Sequence, residues 1–161
     1  MSSPSGPYSH LPFRPCAGIV LFNKDGRVFV GERIDTPGAW QMPQGGIDEG
    51  EDLEVAAFRE LLEETGTDKA EILRIAEEPI YYTLPDHLIE KLWNGAYQGQ
   101  KQHWIAMRFT GEDRDIKLDG FSHPEFSAWE WVALADTVER IVPFKRDVYA
   151  QVINAFSDLP I

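Results

Sequence analysis

An α/β fold, with a sheet lying between helices, is what the sequence predicts, and three observations predict it. Residues 16–22 (CAGIVLF) are almost continuously apolar, as a strand covered on both faces requires. Strand-like runs elsewhere are interleaved with two segments whose apolar residues recur at helical spacing, near residues 52–65 and 144–156. The chain has 161 residues, 43% of them hydrophobic, which suits one domain with a substantial core rather than two small ones.

The elements follow in order. Residues 1–12, rich in Ser and Pro, read as a flexible leader to a single domain over residues 13–161, with order starting near Arg14. Residues 16–22 and 27–32 read as strands joined at Asp25-Gly26, a hairpin signal. Asp35-Thr36-Pro37-Gly38 breaks the chain, residues 40–43 give a short extended piece, and Gly45-Gly46 leads into a helix over residues 52–65. On that helix Val55, Phe58 and Leu62 share one face, and Glu60 and Glu64 the opposite one beside Leu53, Ala56 and Ala57. Strands are expected over residues 70–75 and 80–84, and a helix or irregular turn from Leu84-Pro85-Asp86. Residues 94–102 (NGAYQGQKQ) have the composition of a loop. Residues 103–110 (HWIAMRFT) read as a strand, 111–124 mostly as loop, 125–132 (EFSAWEWV) as a strand and 134–140 as a short helical piece. Pro143 opens a final helix over residues 144–156, with Phe144, Val148, Val152 and Phe156 at i,i+4 spacing.

Charge and composition exclude some function classes. A net charge of −12 argues against a broad nucleic-acid groove, which needs clustered Lys and Arg. Residues 45–67 alone carry eight acidic side chains and one base, Arg59, so more than half of that charge is local and a small basic pocket elsewhere remains open. The longest apolar run, residues 17–22, is far too short to span a bilayer. The N-terminus lacks the basic and apolar regions of a secretory signal, and the single Cys16 cannot form an internal disulfide; both point to the cytoplasm. No feature sets an oligomeric state.

Three glutamates sit where a helix that only has to fold would not place them. Glu60 faces Glu63 and Glu64 at i,i+3 and i,i+4, and like charges so spaced each cost about 0.2–0.5 kcal/mol. They also lie at the helix C-terminus, marked by Gly66, where the macrodipole favours cations. A cation fits that place: hard divalent ions bind a few carboxylates together with waters and substrate phosphates. Glu60 and Glu64 are suited to hold one with Glu63 alongside, Gly45-Gly46 to supply a carbonyl ligand or room for phosphate, and Arg59 to orient a glutamate from behind.

The whole pattern is more specific than its parts. Gly45, Glu51, Arg59-Glu60-Leu61, Glu63-Glu64 and Gly66, at these spacings, resemble the Nudix box of hydrolases that cleave nucleoside diphosphates linked to another moiety. Thr67 departs from it, standing where the family usually has an aliphatic residue. The resemblance extends to Arg14-Pro15, residues 31–33, 40–46 (WQMPQGG), 82–85 (YTLP), 100–104 (QKQHW), 124–131 (PEFSAWEW) and 144–149 (FKRDVY), which are similar to the bacterial RNA pyrophosphohydrolase and dinucleoside polyphosphate hydrolase branch.

The resemblance implies a Nudix-type α/β/α sandwich with a mixed central sheet, and Mg²⁺, with Mn²⁺ as an alternative, bound by Glu60, Glu63, Glu64 and Glu125, to which the Gly-rich turn could add the Gly46 carbonyl. It implies phosphate or base contacts for Arg14, Arg33, Gln98 or Gln100, and Lys145. Tyr82 and Phe144 are candidates to stack on a base, although Phe144 also fits the core stripe of the last helix. The expected reaction is in-line attack of an activated water on phosphorus, with Glu64 or Glu125 as the base. The expected substrate is the 5′-triphosphate end of RNA, left as a monophosphate; the alternative is asymmetric cleavage of diadenosine tetraphosphate and its relatives. Arg14, Arg33, Lys145 and Arg146 suffice for an RNA end but not for a long track. A non-catalytic nucleotide-binding member typically loses box glutamates, and here all are present.

Overall fold

The computed structural model describes residues 10–89, 91, 92, 95–120 and 124–159; most of the expected leader, residues 1–9, lies outside them. The chain order is β1 (Phe13–Phe22), β2 (Val28–Arg33), β3 (Trp40–Gln41), β4 (Gln44–Gly46), α1 (Leu53–Thr65), β5 (Ala70–Ile75), β6 (Ile80–Thr83), α2 (Asp86–Ile89), β7 (Gly99–Phe109), β8 (Phe126–Val132), α3 (Thr137–Arg140) and α4 (Arg146–Phe156). The eight strands form one mixed sheet.

Its axis is β1, in which every residue from Cys16 onward is buried. That strand runs parallel to β7 along its whole length, from Phe13 opposite Gly99 to Phe22 opposite Arg108. On its other side the last residue meets β2, and Cys16, Ala17 and Gly18 pair antiparallel with Gly46, Gly45 and Gln44 of β4. The apolar side chains divide by strand alternation into two cores. One holds Val20, Trp104 and Tyr82 beneath Val148, Tyr149, Val152 and Phe156 of α4. The other holds Ala17, Ile19 and Phe29 beneath Ala56, Ala57 and Leu61 of α1. The sheet is thus sandwiched, as the α/β expectation required.

Helix α1 ends at Gly66, whose φ of 79° only glycine adopts freely and whose N–H donates to the Leu62 carbonyl. Its buried residues are Ala56, Ala57, Leu61, Glu64 and Thr65, so the glutamate side packs on the sheet and Val55 faces solvent. Small alanines win there because they let the helix backbone approach the strands closely. Thr67 keeps its place in the interior by polar pairing: its carbonyl accepts from the Thr65 hydroxyl and its own hydroxyl from the Lys69 N–H.

Several boundaries move. Strand β1 starts at Phe13, and Pro12 and Leu11 accept bonds from the backbone and side chain of Gln98. Residues 99–102, expected as loop, open β7; Gln100 and Gln102 are buried there, with Gln102 paired inside the protein to Trp104 and Gln100, which hides their polar composition from a periodicity reading. The last helix begins at Arg146, after a 3-10 turn at Pro143–Lys145 that leaves Phe144 half-exposed rather than in the core stripe.

Candidate active site

Strand β4 is the thin wall on which the site is built. Successive strand residues face opposite sides, so Gly45 looks toward α1 and Gly46 toward α4. A Cβ on Gly45 would fall on the Glu60 carboxylate, and one on Gly46 on the Arg14 guanidinium. The missing side chains therefore let an acidic group and a basic one press on the same short strand from its two sides.

Arg59 ties the acidic side together. It donates to Glu51 through two bonds of 2.8 and 2.9 Å, to Glu60 at 2.8 Å, to the Gly46 carbonyl at 2.9 Å and to Glu63 at 3.4 Å. The hydrogen bonds from Arg59 and from the Asp48 N–H pull the Glu51 carboxyl down to about 2, and the same pairing pushes the guanidinium above its ordinary value. Glu63 is exposed, Glu60 half-buried and Glu64 buried. Burial raises Glu60 in spite of Arg59. It raises Glu64 well above the usual carboxylate range, with the charges of Glu125 and Glu60 adding to the effect. Glu64 accepts from the Gln44 N–H at 3.1 Å, but its second oxygen, like the Gln44 side-chain oxygen, is buried with no hydrogen-bond partner. A buried anionic oxygen without a donor is costly unless a cation faces it, which is the arrangement a hard divalent ion fits. Among the described residues no three His, Cys, Asp or Glu side chains already converge as a metal-holding group, because Glu60 is drawn to Arg59 and Glu63 turns to solvent.

On the other side lies a cavity of about 520 Å³. Arg14, Arg33, Gln100, Tyr82, Phe144 and Lys145 line it together with Glu60, Glu63, Glu125, Gly45 and Gly46. Glu64 sits behind this lining, and Gln98 turns away to hold Leu11. Arg33 is fixed by Asp35 (2.8 and 2.6 Å) and Gln41 (3.2 Å). Burial, and then the charge of Arg33, lower Lys145 to about 8. Its ammonium lies 5.6 Å from the centre of the Tyr82 ring, which Phe144 stacks on at 6.1 Å. Tyr82 is buried, so the exposed ring of that pair is Phe144. Glu125 is exposed just before β8, its carbonyl accepting from Ile34 N–H.

Sequence reading missed the apolar shelf of Leu84, Leu88 and Leu92, and the acceptors Gln41 and Gln44. The i,i+4 pair Leu88 and Leu92 was the available signal; Gln44 had none, since only its pairing with β1 places it. A larger cavity of about 870 Å³ lies between the β5–β6 turn and α4. Its Arg74 is paired with Asp158, and among the described residues no buried unpartnered side-chain atom belongs to its lining, so the chemistry belongs to the smaller one.

A mixed sheet between helices, with a glycine-led glutamate helix against it, defines the class, and the NUDIX domain family model matches residues 12–152: the chain belongs to the Nudix family. Among curated relatives it is 56% identical over 155 residues to the RNA pyrophosphohydrolase of Sphingopyxis alaskensis, covering 94% of this chain and 98% of that one. It is 54% identical over 147 residues to the RNA pyrophosphohydrolase of Wolbachia pipientis subsp. Culex pipiens, covering 91% of each. The E. coli dihydroneopterin triphosphate pyrophosphohydrolase has the same fold, with a TM-score of 0.67 at 24% identity over 89% of this chain and 99% of that one.

Proposed function

We infer that the chain is a phosphoanhydride-cleaving enzyme, a pyrophosphohydrolase acting on the 5′-triphosphate end of RNA and leaving a 5′-monophosphate. The observation that carries this reading is one cavity lined by two guanidiniums, an ammonium and an amide together with the carboxylates of Glu60, Glu63 and Glu125, with Glu60 and Arg14 meeting β4 at consecutive glycines. A triphosphate has the length and charge to lie across it, and the exposed face of Phe144 and the leucine shelf suit a base at its end. The two relatives above more than 50% identical are RNA pyrophosphohydrolases over nearly their whole length, which supports the same substrate here.

Hydrolases of this family work with divalent metal ions, and the donor set fits one. Glu60, Glu63, Glu64 and Glu125, with the Gly46 carbonyl, are the residues proposed to hold Mg²⁺ or Mn²⁺. Bound there, the ion would neutralise the polyphosphate and lower the pKa of the attacking water. The chain's own residues do the rest. Arg59 holds Glu60 and the Gly46 carbonyl in place; Arg14, Arg33, Lys145 and Gln100 bind and orient phosphate oxygens; Phe144 receives the base, backed by Tyr82. Glu64 or Glu125 takes the proton from water.

The few cations in the cavity match an RNA end and no long track, and no helix of the described residues is long and apolar enough to cross a membrane. A cytoplasmic place of action goes with this reading. Initial rates on triphosphorylated RNA and on diadenosine tetraphosphate, at equal enzyme with Mg²⁺, test it. Faster turnover of the RNA is expected; cleavage of the dinucleotide alone replaces this reading with dinucleoside polyphosphate hydrolysis.

A further inference from the structure

Gln100, Gln102 and Trp104 alternate along β7, so all three side chains face the α4 side of the sheet, and all three are buried. Their polar groups form one directed chain. The Trp104 indole N–H donates to the Gln102 side-chain oxygen at 2.9 Å, and the Gln102 NH₂ donates to the Gln100 side-chain oxygen at 2.7 Å. An indole N–H only donates, so it must meet the oxygen end of Gln102. That leaves the NH₂ end of Gln102 for Gln100, which must in turn present its own oxygen. Rotating either amide would set donor against donor inside the protein. The start of the chain is held in the core, where the indole lies on Gly18 and packs edge-on against Tyr149, 5.9 Å between ring centres.

The other end opens on the cavity. With its oxygen taken, Gln100 has its NH₂ end left to meet a ligand there. It stands in a row across three strands, opposite Arg14 of β1 and Tyr82 of β6, and the buried Tyr82 hydroxyl has no hydrogen-bond partner. A guanidinium and an amide NH₂ side by side, neither able to accept, make a pair of donors on this wall, which suits anionic oxygens.

We propose that Trp104 and Gln102 are positioning residues for the phosphate chain, fixing the amide of Gln100 with its donor end toward the cavity. The proposal rests on reading that cavity as the polyphosphate site. Neither residue touches the reacting atoms; each acts through Gln100.

The test is a double-mutant cycle on the full chain, read by steady-state kinetics on a triphosphorylated dinucleotide RNA and by calorimetric titration with pyrophosphate. Gln102→Met keeps the side-chain volume and removes the relay. It is expected to raise KM roughly fivefold, the size of one lost hydrogen bond, with kcat within about twofold. Pyrophosphate affinity should fall by the same factor. In a Gln100→Ala background the same substitution should change neither, since the residue it positions is gone. Trp104→Phe, which keeps a ring over Gly18 without the N–H, should give a smaller shift of the same kind and serves if Gln102→Met does not fold. A variant that melts earlier with KM and pyrophosphate affinity unchanged, or that acts equally in the Gln100→Ala background, overturns the proposal, as does an unmodified protein that fails to bind pyrophosphate. If the unmodified protein binds pyrophosphate with this dependence on Gln102 but does not cleave the RNA, the positioning role stands and the substrate reading fails.

Discussion

Gly45 and Gly46 are consecutive in β4 yet are pressed from opposite sides, the first by the Glu60 carboxylate and the second by the Arg14 guanidinium. Substituting alanine at each should therefore damage different steps. Gly45→Ala is expected to displace Glu60 and weaken metal activation, raising the Mg²⁺ concentration needed for half-maximal rate roughly tenfold, in the range of perturbed ligand supports. Gly46→Ala displaces Arg14 and should raise KM for triphosphorylated RNA with little change in Mg²⁺ dependence. Steady-state kinetics with Mg²⁺ and substrate varied independently separates the two.

Glu51 and Arg59 make the second predicted effect. Glu51→Gln loosens the guanidinium that supports Glu60 and the Gly46 carbonyl, and activity should fall roughly ten- to a hundredfold. The folded value of Glu51, about 2, lies below its ordinary 4.5. Its stabilisation is therefore complete above about 4.5 and lost as pH falls toward 2. Thermal melts across that window should show the variant losing less stability on acidification than the unmodified protein.

Lys145 gives a pH dependence on the alkaline side. Its ammonium, held near 8 by burial and Arg33, is charged below that value and neutral above it. The kcat/KM for RNA should fall as pH passes about 8, and Lys145→Arg, charged throughout, should lack that limb. Stability moves the other way: the unfolded chain keeps the proton up to 10.5, so folding is favoured as pH rises between the two values. Melts over the same range check the sign.

The sheet was legible where hydrophobic pattern and burial coincide, as in the CAGIVLF run of β1 and the stripe Val148, Val152 and Phe156 of α4. It was illegible in β7 from Gly99 to Gln102, where buried glutamines look like loop until their amides are seen paired. The glutamates of α1 announced themselves by violating helix electrostatics, and their neighbour Arg59 by its spacing. What no local signal carries is convergence: Gln44 and Leu84 join the cavity only because β4 pairs with β1 and the end of β6 is held against β7 and Gln98. Phe144 misled in one respect, because its i,i+4 spacing continues a helix that starts two residues later.

The most direct measurement is the mass of the RNA 5′ end after incubation with the protein and Mg²⁺, beside the Glu64→Gln variant. The account predicts conversion of triphosphate to monophosphate by the unmodified protein, and a rate lower by roughly two to four powers of ten in the variant, as for loss of a general base or metal-holding carboxylate. A 5′ end that stays triphosphorylated while diadenosine tetraphosphate is consumed, or a variant as active as the unmodified protein, would contradict it.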